Sequence, residues 1–398
     1  MLIGLVGKPS CGKSTFFKAA TMADVLIASY PFATIKPNHG IGYVKTDCID
    51  KELGVQCQPR TGYCENNVRF IPIEIMDVAG LVKGASEGKG LGNQFLDDLR
   101  QADAFIQIVD VSGTTDAEGK ESDSNIEQPI EDVRMLENEL DLWYKGIFKK
   151  VWDKLSRTIR TTKQNPAKAI AKQFSGLKAT EEDVKSVFLK LSKKGIESEN
   201  LDKWSDDNLM EFAHELRLIT KPMIIAANKI DKLENRENIE KLKNEFPDYK
   251  VVPCSADSEL SLRQASRADM IEYIPGDSDF TIHEGKVNDK QKQALESIKE
   301  VLEKYGSTGV QNVLDTLVFE FLEYMAIWPA GSKLADSKGN VLPDCFLLPK
   351  NSTALDFAYH LHTDIGDNFI KAIDVRTKQP VGKDHPLKHR DGIEIVTR

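Results

Sequence analysis

The sequence has few of the features that stabilise small secreted proteins or anchor a chain in a membrane. Its 398 residues include only six cysteines, and no two of them have the close spacing of a zinc knuckle. No apolar run approaches the ~18–20 residues that cross a bilayer, and no charged leader precedes the first apolar segment. We therefore expect a soluble cytoplasmic protein with free thiols. A metal site at Cys57 and Cys64, which lie seven apart, is the alternative.

The composition excludes a disordered or fibrous chain. Apolar residues make up 40% and charged residues 29%, and 62 acidic groups against 53 basic groups give a net charge of −9. As an average, this negative charge argues against nucleic-acid binding. The length predicts two or three domains, since domains usually contain ~100–200 residues.

Short apolar runs alternate with helical patterns in a way that is typical of a doubly wound α/β sheet. The runs at 2–6, 71–76, 104–111 and 222–227 each end near Gly, Asp or Asn, as buried parallel strands do, and helical patterns such as 15–22 and 91–102 lie between them. Such a sheet binds its ligand beyond the carboxyl ends of its strands.

Residues 112–221 interrupt this alternation, because a crossover needs only one helix. We predict an inserted helical, coiled-coil-like subdomain, with one long helix over 133–155 and further helices at 180–193 and 206–216. The long helix is predicted from an apolar stripe at spacings of three and four, formed by Val133, Leu136, Leu140, Trp143, Ile147, Val151 and Leu155.

The remainder of the chain is predicted to be loop-rich after Ser255, then helical, then a small α+β module. Helical patterns cover 289–305 and 310–322, and short alternating runs with one helix at about 353–362 follow from 327. The predicted domains are a nucleotide-binding domain (1–125 and 219–305), the insertion (126–218), a connecting helix (306–326) and the C-terminal module (327–398).

Residues 7–14, G-K-P-S-C-G-K-S, have the pattern of a phosphate-binding loop between a strand and a helix. Their backbone N–H groups and the helix N-terminus would surround phosphate oxygens. Lys13 would reach the β- and γ-phosphates, and the Ser14 hydroxyl would ligate Mg²⁺. The predicted nucleotide-binding residues here are Gly7, Lys8, Pro9, Ser10, Cys11, Gly12, Lys13, Ser14 and Thr15. A chance glycine turn is the alternative, and the strand–loop–helix context disfavours it.

Two further motifs each follow a predicted strand. The first is D-V-A-G at 77–80, in which Asp77 would hold Mg²⁺ and the Gly80 amide would contact the γ-phosphate. In N-K-I-D at 228–231, Asp231 would accept hydrogen bonds from the N1–H and 2-amino groups of guanine, which adenine lacks. Asn228 would brace the phosphate loop and Lys229 would lie along the base. A backbone amide of the Ser255–Ala256 segment would contact guanine O6.

Thr34, in the segment Y-P-F-A-T-I-K-P, is the candidate switch threonine that would close on Mg²⁺ and the γ-phosphate. A solvated loop threonine is the alternative reading. Lys13, Thr34 and Gly80 are therefore the predicted catalytic groups. Ser14, Thr34 and Asp77 are the predicted metal ligands.

Together these motifs resemble those of the Obg-type GTPases, and the helical insertion and C-terminal module resemble the YchF subfamily. The segment D-V-A-G-L-V-K-G-A-S-E-G-K-G-L-G-N-Q-F-L at 77–96 is part of this resemblance. It implies a P-loop fold whose C-terminal module is a TGS domain of β-grasp type, with strands at 341–349 and 389–396. Many YchF-like proteins prefer ATP through an altered base motif, whereas the intact N-K-I-D here favours GTP.

The expected activity is slow GTP hydrolysis that operates a switch. Leu81 stands where many GTPases have a glutamine that orients water, and leucine cannot form that hydrogen bond. The rate would then depend on Lys13, Mg²⁺ and backbone amides. The alternatives are an ATPase on the same scaffold and a nucleotide-gated RNA- or ribosome-binding module with negligible turnover.

The negative net charge conceals one basic segment. Residues 145–172 contain nine Lys or Arg and one Asp, a charge of +8 in 28 residues. Trp143 and Tyr144 directly precede this segment, and Phe148 and Trp152 lie within it. We predict a helix here that binds RNA or the ribosome, with the aromatic side chains in the core. A solvated helix face is the alternative. The TGS-like module is a second predicted RNA- or ligand-binding element, and we expect a monomer without membrane contact.

Overall fold

The computed structural model describes residues 1–22, 39–78, 100–116, 119–122, 127–233, 236–331, 334–336 and 338–398. These residues form two compact units. The first contains Met1–Thr15 and Ile75–Cys254, and the second contains Phe16–Glu74 and Ser255–Arg398. Helix α1 (Lys13–Thr21) and strand β4 (Val68–Asp77) each contribute residues to both units.

The first unit is built on a sheet in the strand order β4-β1-β5-β6-β7, in which β1, β5, β6 and β7 are parallel. All seven residues of β5 and all six of β6 are buried, which explains their uninterrupted apolar sequences. The predicted doubly wound sheet is therefore confirmed. The strands are β1 (Leu2–Val6), β4 (Val68–Asp77), β5 (Ala104–Asp110), β6 (Met223–Asn228) and β7 (Val251–Cys254), and α1 (Lys13–Thr21) follows β1.

Between β5 and β6 lies the predicted helical insertion. Its helices are α3 (Gln128–Lys149), α4 (Trp152–Thr162), α5 (Pro166–Gln173), α6 (Glu181–Lys193) and α7 (Asp206–Thr220), with 3₁₀ turns at Ser175–Leu177 and Ser198–Lys203. Side chains of Thr180 and Ser205 accept hydrogen bonds from the third residues of α6 and α7, in reciprocal capping boxes that fix both starts. Helix α8 (Glu237–Glu245) follows β6 and a 3₁₀ turn at Ile230–Lys232.

The prediction of one long helix over 133–155 was wrong. The chain leaves helical geometry at Val151, whose φ is −126°, and α4 starts at Trp152. The break lets the Trp152 indole stack on Trp204 at 5.3 Å and donate to the Leu201 carbonyl oxygen. The apolar stripe continues across the break because both helices line the same core, so spacing alone could not reveal it.

The aromatic residues of the basic segment are buried, as expected. Trp143, Tyr144, Phe148 and Trp152 are at most 5% exposed. Phe148 packs edge-on against Phe174 with ring centroids 4.5 Å apart. The predicted single basic helix was wrong, however, because residues 145–172 extend over the end of α3, all of α4 and most of α5.

The first part of the second unit contains β2 (His39–Asp47), α2 (Asp50–Leu53) and β3 (Tyr63–Glu65), and β3 pairs antiparallel with the start of β4. Asn66 and Asn67 connect β3 to β4 in a two-residue turn with positive φ at both positions, a conformation that Asn tolerates. After Ser255 the chain forms α9 (Ala256–Arg267), so the expected loop is wrong at its beginning. A polar sequence concealed this helix, whose Leu262 is fully buried.

The C-terminal module has a five-stranded sheet in the order β11-β10-β14-β12-β13 with β10 and β14 parallel. Its core contains Phe357 of α12, Ile327 and Ala372. The remaining elements of this unit are β8 (Ile271–Glu272), β9 (Thr281–Ile282), α10 (Asp289–Tyr305), α11 (Val310–Asp315) with a π-helical continuation (Thr316–Phe321), β10 (Tyr324–Pro329), β11 (Phe346–Pro349), α12 (Ala354–Leu361), α13 (Thr363–Asp367), β12 (Phe369–Asp374), β13 (Pro380–Val381) and β14 (Asp391–Thr397). Among the described residues, none of the helices is both long enough and apolar enough to cross a membrane.

Asp315, at the end of α11, makes the stability of this unit depend on pH. Burial raises its pKa to about 7, although the Lys45 N–H and the Gln311 side-chain amide donate to its carboxylate. The unfolded chain loses this proton near pH 3.9, so stability falls as the pH rises from about 4 through 7.

We expect Asp315→Asn to remove this penalty, because the amide oxygen can accept the same two hydrogen bonds without a buried charge. Urea unfolding should show the variant to be more stable than the wild type by about 2–4 kcal/mol at pH 8, with a much smaller gain at pH 4. A variant with the same pH dependence as the wild type would contradict this account.

Candidate functional site

The phosphate-loop sequence folds as a turn between β1 and α1 that only glycine allows at two positions. Gly7 has a φ of 156°, and a Cβ atom there would lie 2.6 Å from the Ile108 carbonyl oxygen. Gly12 has a φ of 94°, and its Cβ would lie 2.3 Å from Asn228 Nδ2. Ser10 adopts a left-handed conformation with a φ of 61°. The glycine pattern therefore reflects close packing of this loop against the ends of β5 and β6.

Lys13 and Ser14, the first two residues of α1, both contact Asp77 at the end of β4. Lys13 Nζ lies 2.9 Å from Asp77 Oδ1, and Ser14 Oγ donates to Asp77 Oδ2 at 3.0 Å. Ser14 and Asp77 are 63 positions apart in sequence, and the fold brings the start of α1 to the end of β4. A hydroxyl and a carboxylate oxygen this close are hard donors of the kind that Mg²⁺ prefers, so the residues fit the expected ion.

Asn228, the last residue of β6, connects the base motif to the phosphate loop. Its Nδ2 donates to the Cys11 carbonyl oxygen at 2.9 Å, and both residues are buried. This contact is the bracing that the sequence-based hypothesis assigned to Asn228. Burial raises the pKa of the Cys11 thiol to about 11, so the thiol is neutral at physiological pH.

Asp110, at the end of β5, was missed by the sequence analysis. Its carboxylate is completely buried and accepts hydrogen bonds from Ser112, Thr115 and Lys229, whose Nζ lies 2.7 Å from Oδ2. Burial opposes ionisation of Asp110, but these donors outweigh it and the pKa lies below its usual range. Lys229 is thus held by a buried anion. The one sequence signal for Asp110 is its position as a charged residue at the end of the apolar run 104–111.

Lys8 contributes its backbone to the phosphate loop, but the charge of its side chain is neutralised in a buried ion pair. Its Nζ donates to the Thr115 carbonyl oxygen at 2.7 Å and lies 2.8 Å from Asp132 of α3, with both side chains buried. A phosphate would therefore meet the charge of Lys13 rather than that of Lys8. The sequence motif alone did not show which of the two lysines, Lys8 or Lys13, is available to a phosphate.

The other predicted residues lie as follows. Asp231 is exposed in the 3₁₀ turn after β6. Ser255 caps α9, and its N–H donates to the Thr308 carbonyl oxygen at 2.7 Å, so this amide does not fit the expected role at guanine O6. Ala256 begins α9, while Pro9 lies in the loop and Thr15 in α1. Thr34, Gly80 and Leu81 lie outside the described residues, as does most of the helix predicted at 91–102.

Three family models match this chain. A model described as 50S ribosome-binding GTPase matches residues 2–139, and one described as the G4-motif-containing domain of YGR210-like, Obg-like GTPases matches residues 226–331. A TGS-domain model matches residues 332–397. The predicted C-terminal TGS domain is thereby confirmed.

Similar proteins match along most or all of the chain. A protein of Methanocaldococcus jannaschii, described as an uncharacterized GTP-binding protein, is 48% identical over 398 residues, which are 100% of this chain and 99% of the relative. A ribosome-binding ATPase YchF of Buchnera aphidicola (subspecies Baizongia pistaciae) is 32% identical over 284 residues, 68% of each chain.

A solved structure agrees with the sequence relatives. The crystal structure of a GTP binding protein from Pyrococcus horikoshii OT3 has a TM-score of 0.80 and 40% identity, with complete coverage of both chains. Because these similarities extend over the whole length and include the nucleotide motifs and the C-terminal module, the chain belongs to the YchF-like subfamily of Obg-type P-loop GTPases with a TGS domain.

Proposed function

We propose that this protein binds GTP together with Mg²⁺, hydrolyses it slowly to GDP and phosphate, and uses the two states as a switch on the ribosome. The convergence of Lys13, Ser14 and Asp77 at one end of the parallel sheet carries the proposal. The cation of Lys13 and the hydroxyl of Ser14 each lie within 3.0 Å of a carboxylate oxygen of Asp77 there. We also propose that it acts in the cytoplasm as a monomer.

In this proposal the phosphate loop performs most of the chemistry. Its backbone N–H groups and the N-terminus of α1 bind the phosphates, and Lys13 exchanges its contact with Asp77 for one with the β- and γ-phosphate oxygens. Ser14 and Asp77 would hold Mg²⁺, which neutralises phosphate charge when bound. Lys13 and the amides, the Gly80 amide among them, then stabilise the charge of the transferring phosphoryl group.

No water-orienting glutamine follows Gly80, because that position is Leu81. We therefore propose slow intrinsic turnover that depends on charge stabilisation. Thr34 and the segment 77–96 are the proposed switch, closing on the γ-phosphate and releasing after hydrolysis. Asp231 is the proposed reader of guanine, and the Ala256 amide is the proposed donor to O6.

The ribosome is the proposed partner for two reasons. Relatives include a protein named ribosome-binding ATPase YchF, and one matching family model is named for binding to the 50S subunit. The basic segment also presents exposed cations that an RNA backbone would attract. These are Lys150, Lys154, Arg157, Lys163, Lys168 and Lys172. Its aromatic side chains are buried, so phosphate contacts rather than base stacking are expected.

A charge reversal tests the role of the basic segment. We expect Lys150→Glu/Lys154→Glu/Arg157→Glu to weaken ribosome binding by at least about 10-fold at physiological salt, because three phosphate contacts become repulsive. The dependence of binding on salt concentration should also become shallower. Sedimentation with ribosomes over a salt series measures both.

The matched control is Lys290→Glu/Lys292→Glu/Lys299→Glu, which makes the same change of charge on exposed positions of α10. This control should bind like the wild type. Equal loss in both triple variants would indicate a general charge effect and would contradict a role for the basic segment.

The switch itself is tested by co-sedimentation with ribosomes in GDP and in a non-hydrolysable GTP analogue. We expect the two nucleotides to give different bound fractions. Equal binding in both states would exclude gating by the nucleotide and leave only a constitutive ribosome-binding protein.

A further inference from the structure

Three thiols and one carboxylate meet in the second unit, outside the nucleotide motifs. The side chains of Cys48, Asp50, Cys57 and Cys64 place their ligand atoms within 4.8 Å of one another. Cys48 Sγ lies 3.6 Å from Cys57 Sγ, and Cys64 Sγ lies 3.8 Å from Asp50 Oδ2. The first three residues are buried and Cys64 is half-buried. The four side chains therefore converge on one point inside the second unit.

The spacing suits a single tetrahedral ion. With a metal–sulfur bond of about 2.3 Å, two sulfurs of a tetrahedral zinc site lie about 3.8 Å apart. The Cys48–Cys57 separation of 3.6 Å is close to that value without any disulfide. An iron–sulfur cluster would spread its cysteines over several irons, whereas these atoms all lie around one point.

The charges in this region also favour a bound cation. Asp50 is completely buried, and among the residues that the structure describes no Lys, Arg or His lies within salt-bridge distance of its carboxylate. The Cys57 N–H donates to Oδ2 at 3.2 Å and Asn67 Nδ2 donates to Oδ1 at 3.1 Å. These two hydrogen bonds orient the carboxylate, but a buried carboxylate normally requires a positive partner.

Arg69 supplies charge beside the thiols without occupying their centre. Its Nη1 lies 3.9 Å from Cys57 Sγ, and its guanidinium is buried and donates to the carbonyl oxygens of Thr61, Leu342 and Pro343. Three thiolates and a carboxylate around a divalent ion carry a net charge of −2, and Arg69 would offset part of it.

We propose that Cys48, Asp50, Cys57 and Cys64 form a structural zinc site. All four positions are protein ligands, so the site is closed to substrate. On binding, the three thiols release their protons to solvent and the sulfurs donate electron pairs to the ion. Asn67 is a positioning residue that orients Asp50. The ion would join the residue after β2 to α2, to the loop at 57 and to β3.

The direct test is the metal content of the full-length protein, purified under reducing conditions without chelator from zinc-supplemented cells. We expect one zinc ion per chain. After removal by a chelator, Co²⁺ titrated into the protein should give the intense visible absorption of tetrahedral coordination together with sulfur-to-metal charge transfer.

Variants separate the ligands from other buried thiols. Cys57→Ser should lose bound zinc, whereas Cys254→Ala, which removes a buried cysteine outside the cluster, should retain it. If Cys57→Ser fails to fold, Asn67→Gly keeps the positive-φ turn and removes only the hydrogen bond to Asp50. We expect this variant to bind zinc about 10–100-fold more weakly.

Two results would overturn the proposal. In the first, the wild type carries no zinc, gives no tetrahedral cobalt spectrum, and all six cysteines react as free thiols in denaturant. In the second, zinc is absent and only four thiols react, which would indicate a Cys48–Cys57 disulfide instead. Unchanged zinc affinity in Asn67→Gly would contradict the role of Asp50 as a ligand.

Discussion

Replacing Lys13 with alanine should lower the kcat of GTP hydrolysis by about 10²–10³-fold, the cost of losing one preorganised donor to transition-state charge. Among the described residues, Lys13 is the only cation of the phosphate loop that is available to phosphate, because Lys8 is paired with Asp132. Single-turnover phosphate release with saturating GTP measures the effect on the chemical step.

Two comparisons make the Lys13 result specific. Lys18→Ala removes an exposed lysine from the same helix and should leave kcat unchanged. Leu81→Ala should have an effect far smaller than the ~10²–10⁴-fold that a residue transferring a proton contributes. A large loss in a folded Leu81→Ala protein would mean that position 81 takes part in catalysis, contrary to our proposal.

Asp231→Asn should weaken GTP binding by about 10²–10⁴-fold, because two charge-assisted hydrogen bonds to guanine are lost. The same change should create affinity for xanthosine triphosphate. Xanthine has a carbonyl where guanine has an amino group, and the asparagine amide can donate to that oxygen and accept from N1–H. Titration of both nucleotides into the wild type and the variant measures the loss of affinity for GTP and the gain of affinity for xanthosine triphosphate.

The gain with xanthosine triphosphate separates a change of base recognition from damage to the site. Asp248→Asn, at an exposed aspartate between α8 and β7, is the matched control and should bind GTP like the wild type. Loss of GTP binding without any gain for xanthosine triphosphate would indicate that Asp231 does not read the base.

The sequence predicted those parts of the fold whose signals are local. The buried strands, the phosphate loop and the capped helices at 180–193 and 206–216 depend on residues a few positions apart, and the structure has them close to where they were expected. The break at Val151 was missed because a continuous apolar stripe suits both one helix and two that share a core.

Contacts between distant segments were not predictable in the same way. The pairing of Lys8 with Asp132 and of Lys229 with Asp110 joins residues more than 100 positions apart, and no spacing rule connects them. The cysteine cluster is a similar case. Cys48, Cys57 and Cys64 lie nine and seven residues apart without a known metal-binding pattern, so free thiols were the favoured interpretation until the fold placed Asp50 among them.

The hydrolysis of GTP against ATP by the wild-type protein tests the central claim most directly. Phosphate release should be measured with each nucleotide over a concentration series, with Mg²⁺ and with and without ribosomes. We predict slow turnover of GTP with a kcat/KM at least ~10²-fold above that of ATP, since adenine leaves Asp231 without its hydrogen-bond donors. Comparable kcat/KM values for the two nucleotides, or a preference for ATP, would contradict the account.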